Sequence, residues 1–118
     1  MSDHVSWSIE MDVIDGRIDA ARALMEEMVT ATLQEAGTTR YEWFLSADMK
    51  ICHILESYTN SDAAMVHLGN FGSKFAERFS ACFSPTALYA YGEVSEELRA
   101  GLDGFGAVYL GSLGGFCR

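Results

Sequence analysis

His67, Glu56 and Tyr58 are the side chains of this sequence best suited by type to acid–base chemistry. An imidazole ordinarily titrates near 6.5 and can take a proton at neutral pH, and a positioned general base contributes about 10²- to 10⁴-fold to a rate. His67 follows Ala64 by three residues and precedes Phe71 by four, so it edges the apolar stripe of a predicted helix. There it either serves as a base or hydrogen-bonds a carbonyl. Glu56 lies in a mostly apolar predicted strand, where a half-buried carboxylate has a raised pKa and suits a base or an anchor. The structural alternatives are a pairing with an arginine such as Arg78, or exposure at the strand end. Trp43, Phe44, Tyr58, Phe71, Tyr89 and Tyr91 could cage a planar substrate, although aromatic residues in a chain of 118 mostly build the core. Ser8 and Glu10 share the polar face of the first predicted strand, which fits solvent or a pocket mouth.

Other chemistries find little support. Cys52, Cys82 and Cys117 are odd in number, widely spaced and form no C-x-x-C, so neither a disulfide framework nor a zinc site is expected. Cys52 and His53 adjoin, but strand neighbours point to opposite faces and share a metal poorly. No metal and reduced, cytoplasmic thiols are the expectation. No G-x-S-x-G, Walker A or complete G-x-G-x-x-G occurs.

Composition sets the frame for these side chains. Hydrophobic residues make up 49% of the chain and charged ones 21%, enough apolar material for a core and unlike a disordered chain. The net charge of −9 repels phosphate backbones and anionic membranes, so nucleic acid and membrane partners are not expected. Met1-Ser2-Asp3-His4 does not read as a signal or transit peptide, and no apolar run approaches the roughly 20 residues of a membrane span. One domain is expected over 1–118, with a core of about 5–94 and an extension over 95–118.

The elements that must position the site follow from periodicity. Val5, Trp7, Ile9, Met11 and Val13 alternate with Ser6, Ser8, Glu10 and Asp12, a half-buried strand. Asp15-Gly16 offers an N-cap for an amphipathic helix of about five turns that closes at Gly37. Arg40–Ala47 and Ile51–Thr59 flank Asp48-Met49-Lys50 as a hairpin. Thr59-Asn60-Ser61-Asp62 starts a second helix with the stripe Ala64, Leu68, Phe71, Phe75, Phe79 and Cys82, and Gly69 and Gly72 are the places for it to bend. Thr86–Val94 reads as a strand, Ser95 caps a short helix through Leu102, and the glycine-rich tail could hold an irregular strand. This β-α-β-β-α-β order is the ferredoxin-like α+β plan, an antiparallel sheet with helices on one face and an extra C-terminal strand. The strands are apolar on both faces, and helices cover only one, so a second copy of the chain is expected over the other as a homodimer.

The segment from Ile54 to Leu68 carries a family resemblance. A Glu ends the third strand (Glu56), an aromatic residue follows within two positions (Tyr58), and a helix beginning near Asp62-Ala63-Ala64 carries a His (His67). With the element order, this resembles the antibiotic biosynthesis monooxygenase (ABM) family over about residues 5–94. The tail with Leu113-Gly114-Gly115-Phe116 lies beyond that pattern and suggests a narrower branch. The resemblance implies a dimeric α+β barrel with a pocket in each subunit between sheet and helices. It implies oxidation of a quinol or polycyclic phenol by O2 with no metal and no flavin. On this reading His67 is the base, assisted by Glu56 or Tyr58. A non-catalytic dimer that binds a small aromatic metabolite is the alternative. Haem-degrading relatives are recognised by an Asn on the first strand and a Trp in the helix region, both absent here, which leaves haem binding through His67 as a third reading.

Overall fold

A computed structural model describes residues 3–118; Met1 and Ser2, the start of the segment read above as free of a targeting signal, lie outside the described residues. The chain forms β1 (Val5–Val13), α1 (Ile18–Thr32), β2 (Thr38–Leu45), β3 (Ile51–Tyr58), α2 (Ser61–Lys74), α3 (Ala76–Cys82), β4 (Phe83–Gly92), α4 (Glu96–Leu102), a 3₁₀ turn (Asp103–Phe105) and β5 (Val108–Leu110). One five-stranded sheet has the order β2-β3-β1-β4-β5. It is the expected ferredoxin-like α+β architecture. The first four strands pair antiparallel, whereas β5 joins β4 in parallel. A parallel neighbour needs a crossover, and α4 supplies it. Among the described residues no helix is long and apolar enough to cross a membrane.

Register divides the sheet cleanly. On the helix-covered face, Trp43, Ile54, Ile9 and Leu88 line up across four strands, and Tyr41, Glu56, Trp7, Ala90 and Tyr109 across five. Val5, Trp7, Ile9 and Met11 are buried there against Leu24 and Met28 of α1, Phe79 of α3, and Leu98 and Leu102 of α4. The extension beyond 94 therefore contributes to the core. On the opposite face run Glu42, Leu55, Ser8, Tyr89 and Val108, then Arg40, Ser57, Ser6, Tyr91 and Leu110. Among the described residues no helix covers that face, and Phe44, Tyr89, Tyr91, Val108 and Leu110 are exposed on it.

Several boundaries differ from the sequence reading, each for a local reason. Helix α1 stops at Thr32, and Gln34 and Glu35 donate to carbonyls three residues back, which tightens the last turn and ends the helix before Gly37. Its N-cap is Arg17, which makes no side-chain cap, rather than Asp15. The buried stripe of α1 is Ala21, Leu24, Met28 and Thr32. The second helix breaks at Phe75 and not at its glycines. Asn60 is its N-cap, its side chain accepting from Ala63 N at 2.9 Å. Strand β4 begins at Phe83, two residues before Pro85.

Gly37 has a different task from the helix end assigned to it. Its carbonyl accepts from Thr59 N at 3.0 Å, and a Cβ built on it would lie 2.4 Å from Ala63 Cβ. Only a glycine lets the α1–β2 connection press this closely on α2. Gly37→Ala is expected to cost about 1–3 kcal/mol, the usual range for overpacking, measured by denaturant unfolding. A midpoint equal to that of the native chain would refute the close approach.

Candidate active site

Four side chains from three elements meet under the sheet. Glu56 and Tyr58, two apart on β3, face the helices, as a two-residue period requires. His67, one turn after Ala64, looks down from α2 and is 5% exposed. Glu35 comes from the loop after α1, two residues before the Gly37 contact. Tyr58 Oη donates to Glu56 Oε1 at 2.5 Å, His67 Nε2 stands 3.4 Å from the same oxygen, and His67 Nδ1 lies 2.9 Å from Glu35 Oε1. Thr38 Oγ1 donates to Glu35 Oε1 at 2.9 Å, and Asn70 Nδ2 donates to Oε2 at 3.1 Å. With Glu35 accepting from its neighbours, the imidazole donates from Nδ1, which leaves Nε2 to exchange a proton with Glu56.

The electrostatics favour such an exchange. Burial holds the Glu56 carboxyl above the usual carboxylate range, against the opposing pull of His67 and the Tyr58 hydroxyl. Burial, then the adjacent Glu56, pushes the Tyr58 hydroxyl well above its ordinary value, so it stays a donor. Tyr41 is raised in the same way by burial and by Glu56. Its ring lies 5.3 Å from that of His67. Among the described residues the buried Tyr41 Oη has no hydrogen-bond partner, and neither has Trp43 Nε1. The Tyr41 and Trp43 rings meet edge to face with their centroids 6.0 Å apart.

A cavity of about 30 Å³ adjoins this chain of groups, with Glu56, His67, Tyr41 and Trp7 on one side and Phe71, Leu102 and Phe105 on the other. Its volume suits water or dioxygen; a single benzene ring fills an apolar cavity of about 150 Å³. The residues do not fit haem: both His67 nitrogens already face carboxylates, which leaves neither to ligate an iron. Among the described residues no group of three or more His, Cys, Asp or Glu is arranged to hold a metal ion.

The sequence expectations divide along the sheet. His67, Glu56 and Tyr58 come together, and Phe71 lines the same cavity. Trp43 is on the same face but borders a separate groove against α1. Ser8, Tyr89 and Tyr91 lie on the opposite face, as the register of β1 and β4 shows. Phe44 pairs with His53 on that face too, since neighbours on a strand alternate. These four do not join the buried cluster. Arg78 does not approach Glu56; it forms a bidentate pair with Glu27 at 3.0 and 2.5 Å. Glu35 and Tyr41 were missed. Tyr41 was detectable, being two residues from Trp43 on one strand. Glu35 sits in a loop, where no periodicity marks a buried side chain.

The fold has relatives among solved structures. The crystal structure of MupZ from Pseudomonas fluorescens superposes with a TM-score of 0.87 at 19% identity, over 100% of this chain and 91% of that one. SnoaB from Streptomyces nogalater, a cofactor-independent oxygenase, superposes with a TM-score of 0.67 at 14% identity, over 80% of this chain and 96% of that one. Rv0793 from Mycobacterium tuberculosis gives 0.59 at 23% identity, over 79% and 97%. No family model and no curated protein matches the sequence. At these identities the likeness establishes the architecture this chain shares with an oxygenase of known cofactor independence.

Proposed function

We propose that this chain is a cofactor-independent monooxygenase of the ABM type, acting on a quinol or polycyclic phenol as a homodimer. The single observation that carries this is the buried Tyr58–Glu56–His67–Glu35 chain beside a cavity of dioxygen size. The Glu56–His67 pair takes a proton from the activated carbon or hydroxyl of the substrate, with Glu35 fixing the imidazole and Tyr58 holding Glu56. The resulting anion passes an electron to O2, the radical pair combines to a peroxide, and loss of water leaves a carbonyl. One oxygen atom enters the product and the other leaves as water with the two substrate hydrogens. The exposed apolar face bearing Phe44, Tyr89 and Tyr91 is where the second copy packs.

The small volume of the cavity weighs against a ring beside His67 and favours a second reading, a dimeric module that turns nothing over. Oxygen uptake over a panel of quinols and polycyclic phenols, each beside a protein-free blank, separates the two. Uptake above the blank is expected; uptake equal to it across the panel would leave the non-catalytic module.

A further inference from the structure

The helix-covered face holds a second opening that the polar chain does not use. A groove of about 160 Å³ runs between α1 and the β2–β3 end of the sheet, walled by Ala21, Met25, Trp43, Cys52 and Phe83. Burial pushes the Cys52 thiol up to about 11, so it stays neutral and serves as an apolar wall. An apolar cavity of about 150 Å³ takes a benzene ring, so this groove has room for one ring or a short alkyl chain.

Its lining includes one charged side chain, Arg22. A guanidinium offers five donors in a planar fork that matches a carboxylate. Here its hydrogen bond, among the described residues, goes to Met49 Sδ at 3.7 Å, and a thioether is a weak acceptor. Asp19 and Glu26 stand three and four residues away on the same helix, yet none of the four ion pairs among the described residues includes Arg22. The chain carries 17 acidic against 8 basic side chains, so a guanidinium left on a thioether at the rim of an apolar groove is notable. Met49 is held in place from the other side. It sits at φ 63° in a turn where Asp48 Oδ1 accepts from Ser46 Oγ at 2.7 Å and from Lys50 N at 3.0 Å. A carboxylate is a stronger acceptor for a guanidinium than this thioether.

We propose that this groove is a binding site for a small amphiphilic carboxylate, with its ring or alkyl body between α1 and Trp43 and its carboxylate on the Arg22 guanidinium. The site is separate from the His67 cluster and does not depend on the oxygen chemistry proposed for it.

Phenylacetate is a suitable probe, with 2-phenylethanol as the uncharged control of the same shape. Titration of the full chain is followed by the two indole N–H signals in ¹H–¹⁵N spectra, with Trp43→Phe identifying which is which. The expected result is a saturable shift of the Trp43 signal by phenylacetate, at least about tenfold weaker binding of the alcohol, and loss of that tenfold difference in Arg22→Gln. Arg22 is exposed, so the variant is not expected to disturb folding. No shift of Trp43, a shift confined to Trp7, equal binding of acid and alcohol, or undiminished binding by Arg22→Gln would each overturn the proposal.

Discussion

Replacing His67 by alanine or by glutamine is expected to lower substrate-dependent oxygen uptake by about 10²- to 10⁴-fold, the range a positioned general base supplies. The two substitutions separate chemistry from structure. Glutamine keeps a donor for Glu35 and cannot take up a proton. Alanine removes the group between two buried carboxylates, Glu35 and Glu56, that approach the imidazole at 2.9 and 3.4 Å. The alanine variant should therefore lose stability as well as turnover, and the glutamine variant turnover alone. Light scattering on all three proteins should give twice the 13.0 kDa of one chain, which tests the proposed dimer at the same time. Native turnover in His67→Gln would remove the imidazole from the mechanism, and a mass of one chain would remove the dimer.

Stability should also fall as pH rises, because of Glu56, and Glu56→Gln should abolish most of that fall. Burial raises the folded-state pKa of this carboxyl above its ordinary value of about 4.5. Below about 4.5 both folded and unfolded chains carry the proton, and the contribution of the neutral acid is fully present. As pH climbs above that value the unfolded chain ionises first, so unfolding releases a proton and stability drops until the folded pKa is passed. The slope for one such group is at most about 1.4 kcal/mol per pH unit. The groups facing Glu56 are Tyr58, His67, Trp7, Tyr41 and Glu35. Denaturant midpoints of the native chain and Glu56→Gln, taken between pH 5 and 8, should diverge in favour of the variant toward the alkaline end. Parallel profiles would show that Glu56 keeps the same proton affinity on folding.

How much of this was legible depended on periodicity. The two-residue alternation of β3 puts Glu56 and Tyr58 on one side, and the spacing of Ala64, His67 and Phe71 puts the imidazole at the edge of an apolar stripe; that the three belong together was implied by the family resemblance alone. The same rule, applied to β2, separates Trp43 from Phe44 and joins it to Tyr41. Register between strands was not readable, because it depends on pairings across the whole chain. Tyr89 and Tyr91 therefore became assignable to the open face only once β4 was seen paired to Ser8 and Ser6 of β1. Glu35 was beyond reach for another reason. It lies in a loop two residues before a glycine that touches α2, and nothing in the local sequence records that contact or which loop side chains turn inward.

The junction of α3 with β4 limits how the buried cavity can open. Cys82 ends the helix and Phe83 begins the strand with no intervening residue. Phe79 packs on Phe83 at 5.1 Å, so that wall is tied to the central sheet and swings only if the sheet distorts. The opposite wall ends in Phe105, between Gly104 and Gly106, with Gly106 at φ 71°. Compliance is thus concentrated on one side. Any widening of the cavity for a group larger than dioxygen would therefore fall on the 3₁₀ turn and not on the α3–β4 wall.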